Sequence, residues 1–578
     1  MKTKGLKTEK DRLNFFTSLL AYAKSKRREN YAALRSQYDG EREADGKNGR
    51  FLRNITYELI ESEVSSNVPM PVVKARSDSV RAQRNAQKIT NLLKTVRDEL
   101  PFETINDADE RNTYIYGGDF FFVEWDDGKN TVKLSVVKPE NVVLQSGVSD
   151  IRDMDYVFLS FVDTPTNLYE RYGKTVYPTS DNEIVTYYLC FFKNDDGKVS
   201  LAAFSDDCLF SYVEDYYKAR RRVCKNCGAS EGDCVCDKKE LVEIPVEEEY
   251  LLSDVYGDDG ELLVSRYHPV FVGGALEEEE VFDEKRGEYI TVPKFEQTVI
   301  PCYTPEVFPI ITRKNISSES DVGVSDAEVL WPIQQAINKV ERRILEKLLK
   351  AGVIPYSGEN TEMRFSDELF TRGVKLKNAQ ERNLLGVLDL SVNVSQDVAE
   401  AERLYDQAKR LIGITDSYMG LPDGTALSGV AKEMLINQSS ARLTSKRVMK
   451  NAAYAALDEL IFKFYLAFSK DDGVGVSDEK TGTYGESFSR YDFLVMDKNG
   501  NYVFDDKYLF SIDLMTDITS NSDKMWSEIK SNYALGVYGD QSGKEAKLRF
   551  WKNMELARYP FAKENIDFLS KEEEKNER

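Results

Sequence analysis

Four cysteines fall within thirteen residues, Cys224, Cys227, Cys234 and Cys236, in the pattern Cys-x2-Cys-x6-Cys-x-Cys. Thiolates at this density suit a tetrahedral zinc ion, and Gly228 and Gly232 let the backbone wrap closely around it. Four sulfur ligands leave no open position for an activated water, so the cofactor expected here is a structural Zn2+. The single residue between Cys234 and Cys236 is tighter than the usual ribbon spacing, and free or redox-active thiols are the alternative. Lys218, Arg220, Arg221, Arg222 and Lys225 flank the cluster as a small basic patch, readable as solvated surface or as an interaction site.

The remaining candidates for chemistry are poor. His268 is the one histidine, it precedes Pro269 at an expected strand end, and no Gly-x-Ser-x-Gly elbow accompanies it. A structural role is expected for it. The stretch Gly536 to Lys544, GVYGDQSGK, has the wrong glycine spacing for a phosphate loop, and Glu545 stands where a Ser or Thr would hold magnesium. The carboxylate pairs Asp126/Asp127, Asp206/Asp207 and Asp258/Asp259 sit in turn-like surroundings and read as surface. No catalytic residue is assigned, and no enzymatic activity is expected.

A chain of 578 residues is too long for one core, so two to four structural units are expected. The 99 Asp and Glu outnumber the 78 Lys and Arg, a net charge of -21, which disfavours gripping nucleic acid by phosphate neutralisation. It remains compatible with a surface that DNA must slide past. The apolar run Phe15 to Ala23 lacks the length and cleavage context of a signal peptide, and no run approaches the span of a membrane helix. Synthesis in a cytosol follows, where clustered cysteines point to metal before disulfides.

The elements that must position these residues follow from periodicity. Helices are expected over Thr8–Tyr38, Asn54–Asn67, Ser77–Asp98 and from Pro101 to Tyr116. Strands follow at Gly118–Trp125, Lys133–Val137, Val142–Leu144, Asp155–Val162 and Glu183–Phe192, with a helix at Thr166–Tyr172. The composition turns basic, then Cys-rich, then acidic between 214 and 249, the mark of an insertion on a sheet. Strands resume at Glu261–Phe271 and Tyr289–Cys302, and the acidic run Glu277–Glu280 between them reads as a solvated hairpin tip. Asp497–Asn501 is a hairpin turn, short helices fill Ser520–Ile566, and Lys571–Arg578 is a charged tail expected to be disordered.

The chain is organised around Phe308–Ala441. Ser325-Asp326-Ala327-Glu328 has the form of a capping box, and Leu330, Ile333, Ile337, Val340, Ile344 and Leu348 make one apolar stripe. Pro332 argues for a restart or a kink. Gln334, Gln335, Asn338, Lys339, Glu341, Arg342 and Glu346 take the opposite face, toward solvent or a neighbouring subunit. A second helix, Ser395–Ile412, has Val398, Ala401, Leu404, Ala408 and Leu411 on one side. The Gly-rich stretch 413–429 cannot be regular, and from Gly429 to Ser469 no proline interrupts a helix that would run roughly 60 Å at about 1.5 Å per residue.

The segments FPIITRKN, SDAEVLWPIQQAINKVERRILEKLLKAG and ITDSYMGLPDGTALSGVAKEMLINQSSARLTSKR, with Ser325, Asp326, Pro332 and Ile333 and then Leu427-Ser428-Gly429-Val430-Ala431, resemble the portal proteins of tailed bacteriophages, the head-to-tail connector family. The resemblance covers 300–550 best. It implies an α+β portal fold with residues 1–116 and 117–310 as wing, the zinc insertion at 214–249, stem helices at 325–350 and 395–412, and a clip at 351–394. A tunnel loop at 413–428, a long wing helix at 429–470 and a C-terminal wing and crown at 471–578 complete it.

The same resemblance implies a homo-oligomeric ring, commonly of about twelve subunits, at one capsid vertex of the virion, a channel for double-stranded DNA in packaging and ejection. Its partners would be the major capsid protein, terminase and head-tail adaptor proteins, with no membrane. Thr415, Asp416, Ser417, Tyr418, Met419, Asp423 and Thr425 would face the DNA, and Ser325, Asp326, Pro332, Gln335, Asn338 and Arg342 would belong to the stem. The cysteine cluster is outside the family pattern. The competing readings are a zinc-dependent nuclease or hydrolase and a non-viral zinc-containing scaffold.

Overall fold

The computed structural model describes residues 8–569 apart from several stretches, the longest of them 42–50, 225–240, 358–384, 415–440 and 513–521. Helix and sheet are both abundant, in an α+β arrangement. The helices named here are α1 (Glu9–Lys26), α2 (Tyr31–Tyr38), α3 (Ile55–Glu63), α4 (Val80–Glu99), α5 (Phe102–Tyr116), α6 (Pro165–Tyr172), α7 (Asp326–Lys350), α8 (Ser395–Ile412), α9 (Ala441–Phe468), α10 (Ser522–Ala534) and α11 (Lys544–Leu556). The strands named are β1 (Pro71–Ala75), β2 (Gly118–Asp126), β3 (Thr131–Val137), β4 (Val142–Leu144), β5 (Tyr156–Asp163), β6 (Val185–Lys193), β7 (Val199–Phe204), β8 (Leu209–Val213), β9 (Arg220–Cys224), β10 (Leu241–Pro245), β11 (Ile310–Lys314), β12 (Val353–Ser357), β13 (Leu385–Asp389) and β14 (Tyr508–Ile512).

Local chemistry explains most of the boundaries. The single helix expected over Thr8–Tyr38 is two, because Asn30 caps the second by accepting a hydrogen bond from the Ala33 amide. Asn54, Ser79 and Thr164 cap α3, α4 and α6 in the same way. Helix α5 ends at Gly117, which has φ +90°, and a Cβ there would lie 2.6 Å from the Gly323 carbonyl oxygen. Only glycine meets both conditions. The Gly117 carbonyl accepts a hydrogen bond from Asn315, tying the end of α5 to the strand that leads into α7.

Strands β4 to β8 form an antiparallel meander. Their alternation buries both faces: Tyr156, Phe158, Tyr188, Cys190 and Phe192 pack under α1 with Phe16 and Leu20, while Val157, Leu159, Leu189 and Phe191 join the main core. A second sheet, in the order β11, β2, β3, covers another part of that core. Helix α9 supplies its centre. Its latter half buries Leu457, Leu460, Ile461, Phe462, Phe464, Tyr465 and Leu466, apolar nearly all round, as in a helix surrounded by protein. Strands β1 and β14, far apart in the chain, pair antiparallel.

Two expectations change in the region before β11. The acidic run is not a hairpin tip: Glu278–Asp283 is a strand paired with Glu288–Pro293, so Glu278, Glu279 and Glu280 alternate along a ladder. The long strands expected at Glu261–Phe271 and Tyr289–Cys302 are broken into short pieces, with Pro269 and Pro293 each at a strand end where no amide is required. His268 Nδ1 lies 3.2 Å from Thr298 Oγ1 in that small unit, a structural contact.

Candidate functional site

Helices α7 and α8 form an antiparallel pair. Leu330, Ile333, Ile337 and Val340 pack against Ala401, Leu404, Tyr405, Ala408 and Ile412, with Ile55 and Leu59 of α3 closing one side. Helix α7 continues through Pro332, which is exposed, without a restart. Ser325 caps it, accepting from the Glu328 amide at 3.1 Å and donating to the Ile115 carbonyl at 2.6 Å. At the far end Asp397 of α8 holds Arg343 and Lys347 of α7 at 2.8 and 2.5 Å. The Lys347 hydrogen bond, with Arg343 beside it, keeps the Asp397 carboxyl below the ordinary carboxylate value.

Beyond that end β12 and β13 pair antiparallel, so the excursion between the helices leaves and returns side by side. Four large apolar side chains near it are exposed: Leu345 at 44%, Leu348 at 51%, Leu349 at 76% and Val398 at 44%. Leu348 and Val398 were expected in the apolar stripes, with Leu411, which is also exposed. The stripe on α7 outruns the buried contact: Ile344 is its last member packed into the cluster with α8. Tyr405 and Ile412 take the buried places instead, and the Tyr405 hydroxyl donates to Glu58 of α3 at 2.5 Å.

The polar face of α7 also departs from expectation. Gln334 and Asn338 are buried, whereas Gln335 and Arg342 are half-buried and Lys339 is exposed. Gln334 Nε2 donates to the Arg53 carbonyl at 2.8 Å, and its Oε1 accepts from the Thr56 amide at 3.2 Å. These bonds pull its amide onto α3, away from solvent or another subunit.

The root of the pair is fixed by buried charge along α9. Lys446 donates to Glu63 and to Asp326, each at 2.7 Å. Lys450 reaches Glu110 at 3.1 Å, Tyr454 donates to Asn106 at 3.2 Å, and Asp458 accepts from Arg97 at 3.0 Å. Arg313 of β11 meets both Asp109 and Glu110 of α5, the latter at 2.6 Å. Burial acts to raise both carboxyls, but Arg313 and Lys450 outweigh it at Glu110 and hold it at about 2. At Asp109, wholly buried and beside Glu110, burial wins and the carboxyl sits at about 6.

No family model matches this chain, and no curated protein matches it. Similar solved structures come from gene transfer agent particles. One, described as the neck of an empty GTA particle computed with C6 symmetry, is 10% identical, with 90% of this chain and 94% of that chain covered and a TM-score of 0.38. Another, the virion of a native gene transfer agent particle, is 10% identical over 90% of this chain and 93% of that chain, with a TM-score of 0.37. Likeness at that level decides nothing about function.

Thr415, Asp416, Ser417, Tyr418, Met419, Asp423 and Thr425, expected in a DNA-facing loop, lie outside the described residues, as do Cys227, Cys234 and Cys236. Cys224 closes β9, directly opposite Leu241 of β10. Among the described residues no group of His, Cys, Asp and Glu could hold a metal ion, and no helix is long and apolar enough to cross a membrane.

Composition and motif reading passed over the buried charges of α9. A usable signal existed. Lys446, Lys450, Tyr454 and Asp458 recur every four residues, one polar line on a helix otherwise built for a core, and Asp109 follows Phe102 and Ile105 at spacings of seven and four.

Proposed function

We propose that this chain is a portal subunit: it assembles into a ring at one capsid vertex and forms a channel through which double-stranded DNA passes. The observation that carries this reading is the α7/α8 pair itself. Two long antiparallel helices leave Leu345, Leu348, Leu349 and Val398 exposed beside a two-stranded ladder, and the pair is anchored by Lys446 to the start of a long core helix. Exposed leucines of this kind mark an association surface, and the order of helix, excursion, helix, loop and long helix is the one the sequence resemblance implies. The net charge of -21 fits a wall that DNA slides along without sticking. In this reading residues 351–394 meet terminase and then head-tail adaptors, the wing meets the major capsid protein, and Thr415 to Thr425 form the loop nearest DNA.

Negative-stain electron microscopy with mass photometry on the purified full-length chain tests the proposal. Rings with a central hole and a mass near twelve subunits are expected; a chain that stays monomeric both alone and with capsid and scaffold proteins would end it. Replacing Thr415, Tyr418, Met419 and Asp423 together by alanine should leave ring formation intact and reduce packaged DNA length and infectious titre. Unchanged packaging would remove the DNA-facing role from that loop.

The cysteine cluster is proposed to hold one structural zinc. The β9/β10 register supports it, because Cys224 ends one strand of a hairpin whose connecting residues carry Cys227, Cys234 and Cys236. Metal analysis of the purified chain should give about one zinc per subunit, falling to none in the double variant Cys227→Ser/Cys234→Ser, with the rings retained. Metal-free wild-type protein whose four thiols all react with a thiol reagent would exclude the site.

A further inference from the structure

Around the root of α7 five buried carboxylates, Glu63, Asp109, Glu110, Asp119 and Asp326, face three buried cations, Arg313, Lys446 and Lys450. Fully ionised, the cluster would carry two more negative than positive charges with no water to disperse them, a state that buried groups avoid by taking up protons. Asp119 is one place for a proton. It is wholly buried with no cation bonded to it among the described residues, held by the Asn112 amide at 2.9 Å and the Phe120 amide at 2.8 Å, and burial drives its carboxyl well up.

The second place is less symmetrical and more consequential. Glu63, 3% exposed, and Asp326, 3% exposed, share the single ammonium of Lys446. Asp326 Oδ2 also accepts from Asn315 Nδ2 at 2.9 Å, so it is the better satisfied of the two. Glu63 Oε1 is buried and has no hydrogen-bond partner among the described residues, and neither has Asn315 Oδ1. Both orphan oxygens belong to side chains bonded to the Asp326–Lys446 pair.

We propose that Glu63 holds a proton beside the lysine it shares with Asp326, making this junction a proton-binding latch that joins α3, α7 and α9. Lys446 donates to both side chains, and the unpartnered Glu63 Oε1 is the oxygen free to carry the proton. The groups facing Glu63 are Asp326 from α7, Lys446 from α9, and Glu110 and Tyr114 from α5; the Lys446 ammonium lies 5.0 Å from the Tyr114 ring. Burial first, then Asp326, and in smaller part Glu110, push the Glu63 carboxyl to about 8, against the opposing pull of Lys446. Burial works against the Lys446 charge, but Asp326 and Glu63 outweigh it and raise that group. The latch therefore holds its proton at neutral pH and opens under alkaline conditions. Its place is telling, because α9 begins at Ala441, and Lys446 sits close after the 415–440 stretch that contains the proposed DNA-facing loop.

The sign of the linkage separates this from an ordinary ion pair. A carboxyl raised in the folded state contributes stability that is complete below its unfolded value of about 4.5 and is lost progressively as pH rises to about 8. Glu63→Gln keeps the neutral shape, so it should match the unaltered chain near pH 4.5 and gain on it above. Hydrogen exchange of the full-length chain reads this directly: at equal pH the intrinsic rates cancel, and the ratio of local opening constants for α3 and the first turns of α9 should shift in favour of the variant by up to tenfold per pH unit between 4.5 and 8. A variant that instead loses ground as pH rises shows an ionised Glu63 and overturns the proposal. Should Glu63→Gln fail to fold, infrared spectra of Asp119→Asn, which removes the other buried protonated carboxyl, decide. A protonated-carboxyl band that weakens between pH 7 and 9.5 in that variant is expected, and a spectrum constant over that interval overturns the latch.

Discussion

Arg313→Met should cost about 3–5 kcal/mol, because it removes one partner of a buried ion pair and strands the others. Arg313 is 2% exposed, and it alone spans Asp109 and Glu110 on α5 from strand β11. Burial opposes its charge, yet the two carboxylates outweigh that opposition and raise the guanidinium group. Lys450 would be left as the one bonded cation for Glu110, and Asp109 would retain only the Tyr454 hydroxyl at 3.4 Å and the Thr113 hydroxyl at the same distance. The urea midpoint should fall, and amides of α5 and β11 should lose hydrogen-exchange protection before those of the β4–β8 meander. Arg313→Lys should recover only part of the loss, since an ammonium cannot present the planar fork that reaches two carboxylates. A change within about 0.5 kcal/mol, the range of ordinary surface substitutions, would mean that Asp109 and Glu110 are not held by this residue.

How much of this arrangement was legible depends on whether the signal was local. The extents of α4, α5 and α6 and the turn at Asp126–Asn130 each reside in a few adjacent residues and were legible, whereas the Ser79 and Thr164 caps and the left-handed Gly117 are equally local signals that the pattern of apolar residues does not reveal. The break at Asn30 was equally local but was masked by apolar residues that kept helical spacing on both sides of it. Burial of Gln334 and Asn338 was not legible, because it depends on α3, a helix some 280 residues earlier that brings Thr56 and the Arg53 carbonyl to meet the Gln334 amide. The same holds for the charge cluster: Glu63, Asp109, Asp326 and Lys446 look like surface residues until four elements from distant parts of the chain converge. An acidic run such as Glu278–Glu280 misleads in the opposite direction, since composition assigns it to a turn and the backbone there runs as a paired strand.

In the proposed ring, Leu348→Glu/Leu349→Glu should abolish assembly while leaving the subunit folded. Both side chains lie on the last turns of α7, past Ile344, and with Leu345 and Val398 they are large apolar residues exposed at that end of the pair. Burying an exposed leucine in a contact between subunits is worth roughly 1.5–3 kcal/mol, and each subunit of a ring repeats every contact on two sides. Carboxylates placed in such a contact add a desolvation cost, so the loss exceeds that of the leucines alone. Mass photometry at micromolar concentration should find single subunits in place of rings, with an unchanged circular dichroism spectrum and urea midpoint, because neither residue supports the core. The pair Leu348→Ala/Leu349→Ala should weaken rings without eliminating them, distinguishing lost apolar area from introduced repulsion. Rings that form as readily in the double glutamate variant as in the unaltered chain would show that subunits do not meet at this end of the helix pair, and would leave the exposed leucines to a different partner.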